Sequence, residues 1–184
     1  MSRPMRADAR RNRARVLDVA AEAFATEGLS VSVHEIARRA GVGTGTVSRH
    51  FPTKEALFQA VLLDRVEQVV RRADALATGE DPGEAFFAFF SLMVDEGAAN
   101  RGVVDALAGA GYDFEADAAE SRYDVMGAWG RLLQRAQQAG ALRADVDISD
   151  VKALLAGCLD RERHGADPAA RDRMLAVVRA GLSA

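Results

Sequence analysis

The sequence predicts an all-α protein: a three-helix helix-turn-helix head followed by a C-terminal helical bundle, about nine helices in all. Three observations carry that prediction. Alanine is abundant and prolines number four, so long stretches keep high helix propensity. Apolar residues recur at three- and four-residue spacing, and β-branched residues rarely alternate with polar ones. Capping and stop signals divide the chain into segments of ordinary helix length. A chain of 184 residues makes one or two domains with a continuous core.

The elements follow in order. A first helix is expected over about 10–27, with Leu17, Ala20 and Phe24 on one face and Gly28-Leu29 as its stop. Ser32-Val33-His34-Glu35 has capping-box spacing and opens a short helix over 33–40, turning Ile36, Ala37 and Ala40 inward. Gly41-Val42-Gly43 breaks that helix, and Gly41 tolerates the left-handed conformation of a tight interhelical turn. A second short helix over 44–50 has one clear inward residue, Val47. Pro52 forbids simple continuation, and Thr53 caps a helix over 54–77 whose Leu57, Phe58, Val61, Leu62, Val66 and Val69 lie mostly on one side. The stretch from Thr78 to Gly83 is the most loop-like in the chain. Helices are then expected over 83–99, 101–109, 115–140, 149–164 and 168–183, with Asp167-Pro168 as N-cap and first residue of the last. The chain divides into residues 1–54, a basic arm with a helix-turn-helix, and residues 55–184, a helical body.

Charge is placed unevenly. Residues 1–54 hold ten Arg/Lys against five Asp/Glu, a balance of +5, while the remainder carries −8. A basic head on an acidic body points to a polyanion partner for the head, unless surface arginines have merely clustered by chance. Six arginines fall within the first 15 residues, alongside Pro4 and little apolar content before Val16. This arm reads as a flexible segment that follows phosphates or enters a narrow minor groove, or as a plain solvated tail.

Several function classes are disfavoured. No run approaches the roughly 18 apolar residues of a membrane span, and no apolar stretch follows the N-terminal arginines as in a secretory signal. One cysteine, Cys158, leaves no internal disulfide and fits a cytoplasmic protein; it is read as a redox sensor or a small buried residue. His34, His50 and His164 share no metal-ligand spacing, and no nucleophile–base constellation or phosphate-cradling glycine loop is present. The acids from Asp113 to Asp124 lack the spacing of a calcium loop, and Asp145, Asp147 and Asp150 read as loop and helix-start acids. No metal, no cofactor and no enzymatic activity are expected.

The segment with a function lies at 32–54. Outside Val47, the second short helix displays Thr44, Gly45, Thr46, Ser48, Arg49 and His50, all slim or hydrogen-bonding. A helix that enters the major groove needs such a surface, with donors and acceptors for base edges and phosphates. A short solvated helix of an ordinary bundle is the competing account.

The run from Ser32 to Phe58, extended back through Val16 to Ala20, Phe24 and Gly28, resembles the DNA-binding head of the TetR family of bacterial one-component regulators. The resemblance covers about residues 10–65, and the body is similar to the C-terminal domain of the SbtR-like subgroup. It implies an all-helical subunit, a homodimer, and a ligand pocket in the variable body. By the same resemblance, Ser32, His34, Thr44, Gly45, Thr46, Ser48, Arg49, His50 and Lys54 form the DNA-binding surface. His34 and Thr44 face bases, while Thr46, His50 and Lys54 bond phosphates. Ser48 departs from the family, which mostly has tyrosine there, so an interaction commonly made at that place has less stacking area.

In the body, Phe86, Phe90, Met93, Tyr123, Met126 and Trp129 either border a pocket for an apolar or aromatic effector or are core packing. Val151, Leu154, Leu155, Leu159, Leu175 and Val178 give the last two helices apolar faces, which either pair across a dimer axis or close the subunit's own core. The expected function is a cytoplasmic repressor that binds a near-palindromic double-stranded operator as a homodimer and is released by a small molecule. Half-sites then lie about one helical turn (~34 Å) apart or somewhat more. A ligand-binding or enzymatic bundle with a non-functional head, and a regulator governed by a protein partner, are the alternatives. No membrane partner is expected.

Overall fold

The computed structural model describes residues 3–99, 124–165 and 167–184. Among them are eight α-helices and one short 3-10 turn. The α-helices are α1 (Arg3–Glu27), α2 (Val33–Arg39), α3 (Thr44–His50), α4 (Lys54–Ala77), α5 (Pro82–Ala99), α6 (Val125–Gln138), α7 (Ile148–Arg163) and α8 (Pro168–Leu182). The described residues contain no strand, only an isolated bridge between Leu142 and Ser183. The all-α expectation holds, and the helix expected over 101–109 lies outside the described residues.

Three local expectations are revised. The arm is helical from Arg3, not irregular up to residue 10. Alanine and arginine are strong helix formers, and Pro4 falls in the first turn, where its missing N–H costs no hydrogen bond. Asp8 pairs with Arg11, and Arg15 Nη2 donates to Asn12 Oδ1 at 2.7 Å, both at helical spacing. Secondly, α6 starts at Val125 because Asp124 leaves the helical region and accepts the Gly127 N–H at 2.7 Å; residues 115–123 of the longer expected helix lie outside the described residues. Thirdly, only half of the capping box at α2 forms. Ser32 Oγ accepts the Glu35 N–H at 3.1 Å, but the Glu35 carboxylate turns instead to Arg38 and Arg39. Two guanidiniums outcompete one backbone N–H.

Chain breaks elsewhere follow the sequence signals. Thr53, Asp81 and Asp167 cap α4, α5 and α8, and Asp147 with Asp150 makes a full capping box at α7.

The described residues fall into two compact units, one through Glu67 and one from Gln68. In the first, Leu17, Ala20 and Phe24 of α1 meet Ile36 and Ala37, Val47, and Leu57 and Phe58 of α4, all at most 2% exposed. Phe24 and Phe58 pack edge to face with ring centres 5.2 Å apart. In the second, Phe86, Phe89 and Phe90 of α5 surround Trp129 of α6, and Val151, Cys158, Val178 and Leu182 complete the core.

Candidate nucleic-acid interface

The geometry of the head begins at Gly41. Its φ of +65° reverses the chain, with the Val42 N–H donating to Ala37 O at 3.0 Å and the Gly41 N–H donating to Arg38 O at 3.2 Å. This pair of bonds is the Schellman closure of a helix C-terminus, and it sets the path from α2 into α3. Gly43 follows in extended conformation and its carbonyl accepts the N–H groups of Thr46 and Val47, starting α3.

Of the seven residues of α3, Val47 alone is buried. Gly45, Ser48, Arg49 and His50 are exposed, while Thr44 and Thr46 are half-buried. A Cβ at Gly45 would meet nothing within 4 Å, so this face is open at its slimmest point. Ser32 and His34 are exposed at the start of α2, and His34 Nδ1 lies 3.1 Å from Thr44 Oγ1. Lys54 is half-buried at the first position of α4. The structure thus brings His34 and Thr44 into direct contact and sets Thr46, Ser48, Arg49 and His50 on the same short helix.

Not all the basic charge of the head is available to a polyanion. Arg38 donates to both Glu35 oxygens at 2.7 and 2.8 Å, and Arg39 bonds Glu35 at 2.7 Å and also pairs with Glu27. Hydrogen bonds from Arg38 and then Arg39 hold the Glu35 carboxyl down at about 2. Sequence reasoning missed this four-member cluster because its Glu27 arm joins residues 12 apart, beyond any single helix period. Nearby, the Arg13 guanidinium lies over the Phe51 ring, 5.6 Å from its centre.

The residues expected to border a pocket are distributed differently. Phe86, Phe90 and Trp129 are fully buried against one another, Trp129 lying edge to face with Phe89 at 5.6 Å and with Phe90 at 5.7 Å. Phe89, on the same helix, is as buried as Phe86. The Trp129 Nε1–H is buried and has no hydrogen-bond partner among the described residues. Met93 is half-buried against this core, Met126 is 38% exposed, and Tyr123 lies outside the described residues. A separate shallow hollow, too narrow to hold a water molecule, is lined by Val94, Cys158, Arg161, Glu162, Arg171, Met174 and Leu175, and contains none of the expected aromatics. The ion pair of Arg171 with Glu162 (2.7 Å) forms part of its wall. Burial, and secondly the Glu162 charge, push the Cys158 thiol up, which keeps it a protonated, unreactive side chain.

The last two helices sort their apolar residues onto two faces. Val151 and Val178 are buried in the subunit's own core, and Leu155 and Leu175 are half-buried against it. Leu159 is half-buried, and its methyl carbons are so close to Gly97 of α5 that a Cβ there would lie 2.5 Å away. The outward face of α7 and α8 holds Ala153, Ala156, Gly157, Ala176, Ala180 and Gly181, together with Leu154 at 37% and Val177 at 67% exposure.

Comparison with known proteins agrees with this geometry. Residues 16–61 match the family described as bacterial regulatory proteins, tetR family, and residues 81–184 match the C-terminal domain of SbtR-like transcriptional regulators. A TetR transcription regulatory protein from Mycobacterium vanbaalenii is 49% identical, with a TM-score of 0.83 and coverage of 98% of this chain and 100% of that one. The TetR regulator SCO0520 from Streptomyces coelicolor is 33% identical, with a TM-score of 0.78 and coverage of 93% and 98%. The HTH-type transcriptional regulator SrpR of Pseudomonas putida is 42% identical over 66 residues, which are 35% of this chain and 31% of that protein. The chain spans about a third to a half of the length of the curated relatives it matches. These relatives are transcriptional regulators, not enzymes. With close to half its residues shared with one of them from end to end, the chain belongs to the TetR family of transcriptional regulators and carries the family's helix-turn-helix DNA-binding domain.

Proposed function

We propose that the chain is a cytoplasmic, homodimeric repressor that binds a near-palindromic operator and leaves it when a small apolar or aromatic molecule occupies the body. The observation that carries this reading is the surface of α3. A seven-residue helix with one buried side chain and an otherwise slim, polar surface has little packing reason to exist and suits close approach to base edges. In this reading residues 1–54 bind DNA and residues 55–184 bind ligand and dimerise. Ser32, His34, Thr44, Gly45, Ser48 and Arg49 meet the operator, with Thr46, His50 and Lys54 on phosphates. Among the described residues no helix is long and apolar enough to cross a membrane.

The homodimer forms through α7 and α8. Leu154, Val177 and the small residues beside them form the apolar surface that these helices leave exposed, and Gly157 and Gly181 have open space around them. A second copy buries that face through close helix approach, supported from within by Val151, Leu155, Leu159, Leu175 and Val178. Effector binding centres on the aromatic cluster of Phe86, Phe90 and Trp129 with Met93, Met126 and Tyr123. The buried Trp129 N–H favours an effector that offers one hydrogen-bond acceptor, since an unsatisfied buried donor costs about 1–3 kcal/mol. A coupling of about 1–3 kcal/mol between effector and operator sites alters operator affinity roughly 5- to 150-fold.

The test is selection of bound duplexes from a random DNA pool with the full-length protein, followed by affinity measurements against salt. One near-palindromic site is expected, weakened by Thr44→Ala and by Lys54→Ala. The lysine variant also has a salt slope shallower by about 1 for every phosphate that Lys54 neutralises in the wild type. Failure of the folded dimer to enrich any motif at any salt concentration sinks the operator reading.

A further inference from the structure

We propose that His34 and Thr44 act as one reading unit, in which His34 sets whether Thr44 offers a base a donor or an acceptor. The inference rests on the reading of the head as a DNA reader and goes beyond it to the kind of base selected. It starts from the 3.1 Å contact between His34 Nδ1 and Thr44 Oγ1, which joins α2 to α3 across the turn. Neither residue is buried, so each keeps hydrogen-bonding capacity for a ligand: Nε2 on the imidazole and the two sites of the hydroxyl that Nδ1 does not use.

A single proton lies between Nδ1 and Oγ1, and its position fixes both outward sites. When the hydroxyl donates to Nδ1, the ring proton sits on Nε2, so Nε2 donates outward and Oγ1 accepts. When Nδ1–H donates to Oγ1, the hydroxyl hydrogen is free to donate outward and Nε2 accepts. Both neutral forms therefore present one donor and one acceptor. That pattern fits adenine, with its N7 acceptor and N6 amino group, and it mismatches guanine, whose N7 and O6 both accept. A protonated imidazole has hydrogens on both nitrogens: Nδ1–H donates to Oγ1, Nε2–H donates outward, and the hydroxyl, with its hydrogen and second lone pair free, donates or accepts. That pattern admits guanine as well as adenine. The unit selects adenine over guanine while the imidazole is neutral and loses that discrimination when it is charged.

Among the described residues, the charged surroundings supply no alternative partner. On α2, Glu35 is held by Arg38 and Arg39, and on α1, Glu27 is held by Arg39. On α3 the charged or titratable side chains are Arg49 and His50, and its first turn holds no acid. His50 is a second imidazole on α3, but a phosphate contact there changes affinity at every sequence alike. Base preference at one position is therefore the readout that isolates His34.

The experiment is duplex selection with the full-length protein at about pH 8 and about pH 5.5, on either side of ordinary imidazole titration. One position in each half-site is expected to favour adenine over guanine about tenfold at the higher pH and to lose that preference at the lower. Thr44→Ser keeps the pattern, because the hydroxyl remains. Thr44→Val erases the preference at both pH values. His34→Ala frees the hydroxyl to donate or accept, so discrimination at that position falls below about threefold and no longer depends on pH. His50→Asn leaves the pH-dependent base shift in place. An operator enriched with the same base preferences in the wild type and in His34→Ala overturns this inference while leaving the operator reading standing. Absence of any enriched site removes the operator reading itself and this inference with it.

Discussion

Replacing Gly41 by alanine is expected to destabilise the head by about 1 kcal/mol while leaving the folded protein's DNA affinity nearly unchanged. The magnitude follows from the backbone. At φ +65° an L residue costs roughly 1–2 kcal/mol, because its Cβ crowds the local carbonyl. A Cβ built there meets no atom within 4 Å, so no tertiary clash adds to that cost. Alanine also restricts the unfolded chain, returning about 0.4–1 kcal/mol. The balance lowers the Tm by about 2–4 °C. Asparagine tolerates the left-handed region and should cost less than alanine, whereas the β-branched valine should cost more. Urea unfolding of the three variants at one protein concentration checks the order, with m unchanged, since a dimer's stability depends on concentration. Operator affinity of the folded variants should stay within about twofold of wild type, because the Schellman bonds and the path into α3 are retained. A loss above about 3 kcal/mol, or asparagine costing as much as valine, would refute the argument that backbone conformation alone sets the requirement.

Three further outcomes are expected. Glu35, held at about 2 in the folded protein, stabilises the head fully above the ordinary carboxylate range near 4.5, and that contribution is lost as pH falls from there toward 2. Glu35→Gln should therefore be less stable than wild type near neutrality and converge on it at about pH 2, as followed by urea titrations across that range. Ser32→Ala removes the cap that holds the Glu35 N–H and should cost about 1 kcal/mol, while Ser32→Asp should cost little; thermal unfolding distinguishes them. Gly97→Ala places a Cβ 2.5 and 2.9 Å from the Leu159 methyls. The overlap should outweigh the gain in helix propensity of about 1 kcal/mol, and a cycle with Leu159→Ala should show the double variant costing less than the sum of the singles.

The head was the most legible part of the chain because its signals are local. The turn at Gly41, the caps at Ser32 and Thr53, and the lone inward Val47 each depend on residues within one or two helical turns, and the observed α2, α3 and α4 begin at 33, 44 and 54 as those signals require. The start of α1 was misjudged for an energetic reason: proline and a cluster of arginines read as an irregular arm, whereas a first-turn proline is compatible with a helix. In the body, periodicity identified the apolar faces of α7 and α8 but not which residues the subunit covers for itself. Val151 and Val178 are buried internally, and Leu154 and Val177 are left outward, because α5 and α6 pack against one face of the pair and not the other.

By itself, then, the sequence determined what neighbouring residues decide: the helical class, the break at Gly41, the slim polar surface of α3, and the family to which the head belongs. Tertiary structure decided every pairing between residues distant in the chain. The 3.1 Å contact of His34 with Thr44, the tie of Arg39 to Glu27, and the ion pairs of Arg171 with Asp95 and Arg179 with Glu84 join residues from 10 to 95 positions apart. Each long side chain had several carboxylates of suitable charge to choose from. Which one it meets depends on how whole helices pack, and that is settled by the summed burial of their apolar faces, a quantity no short stretch of sequence contains.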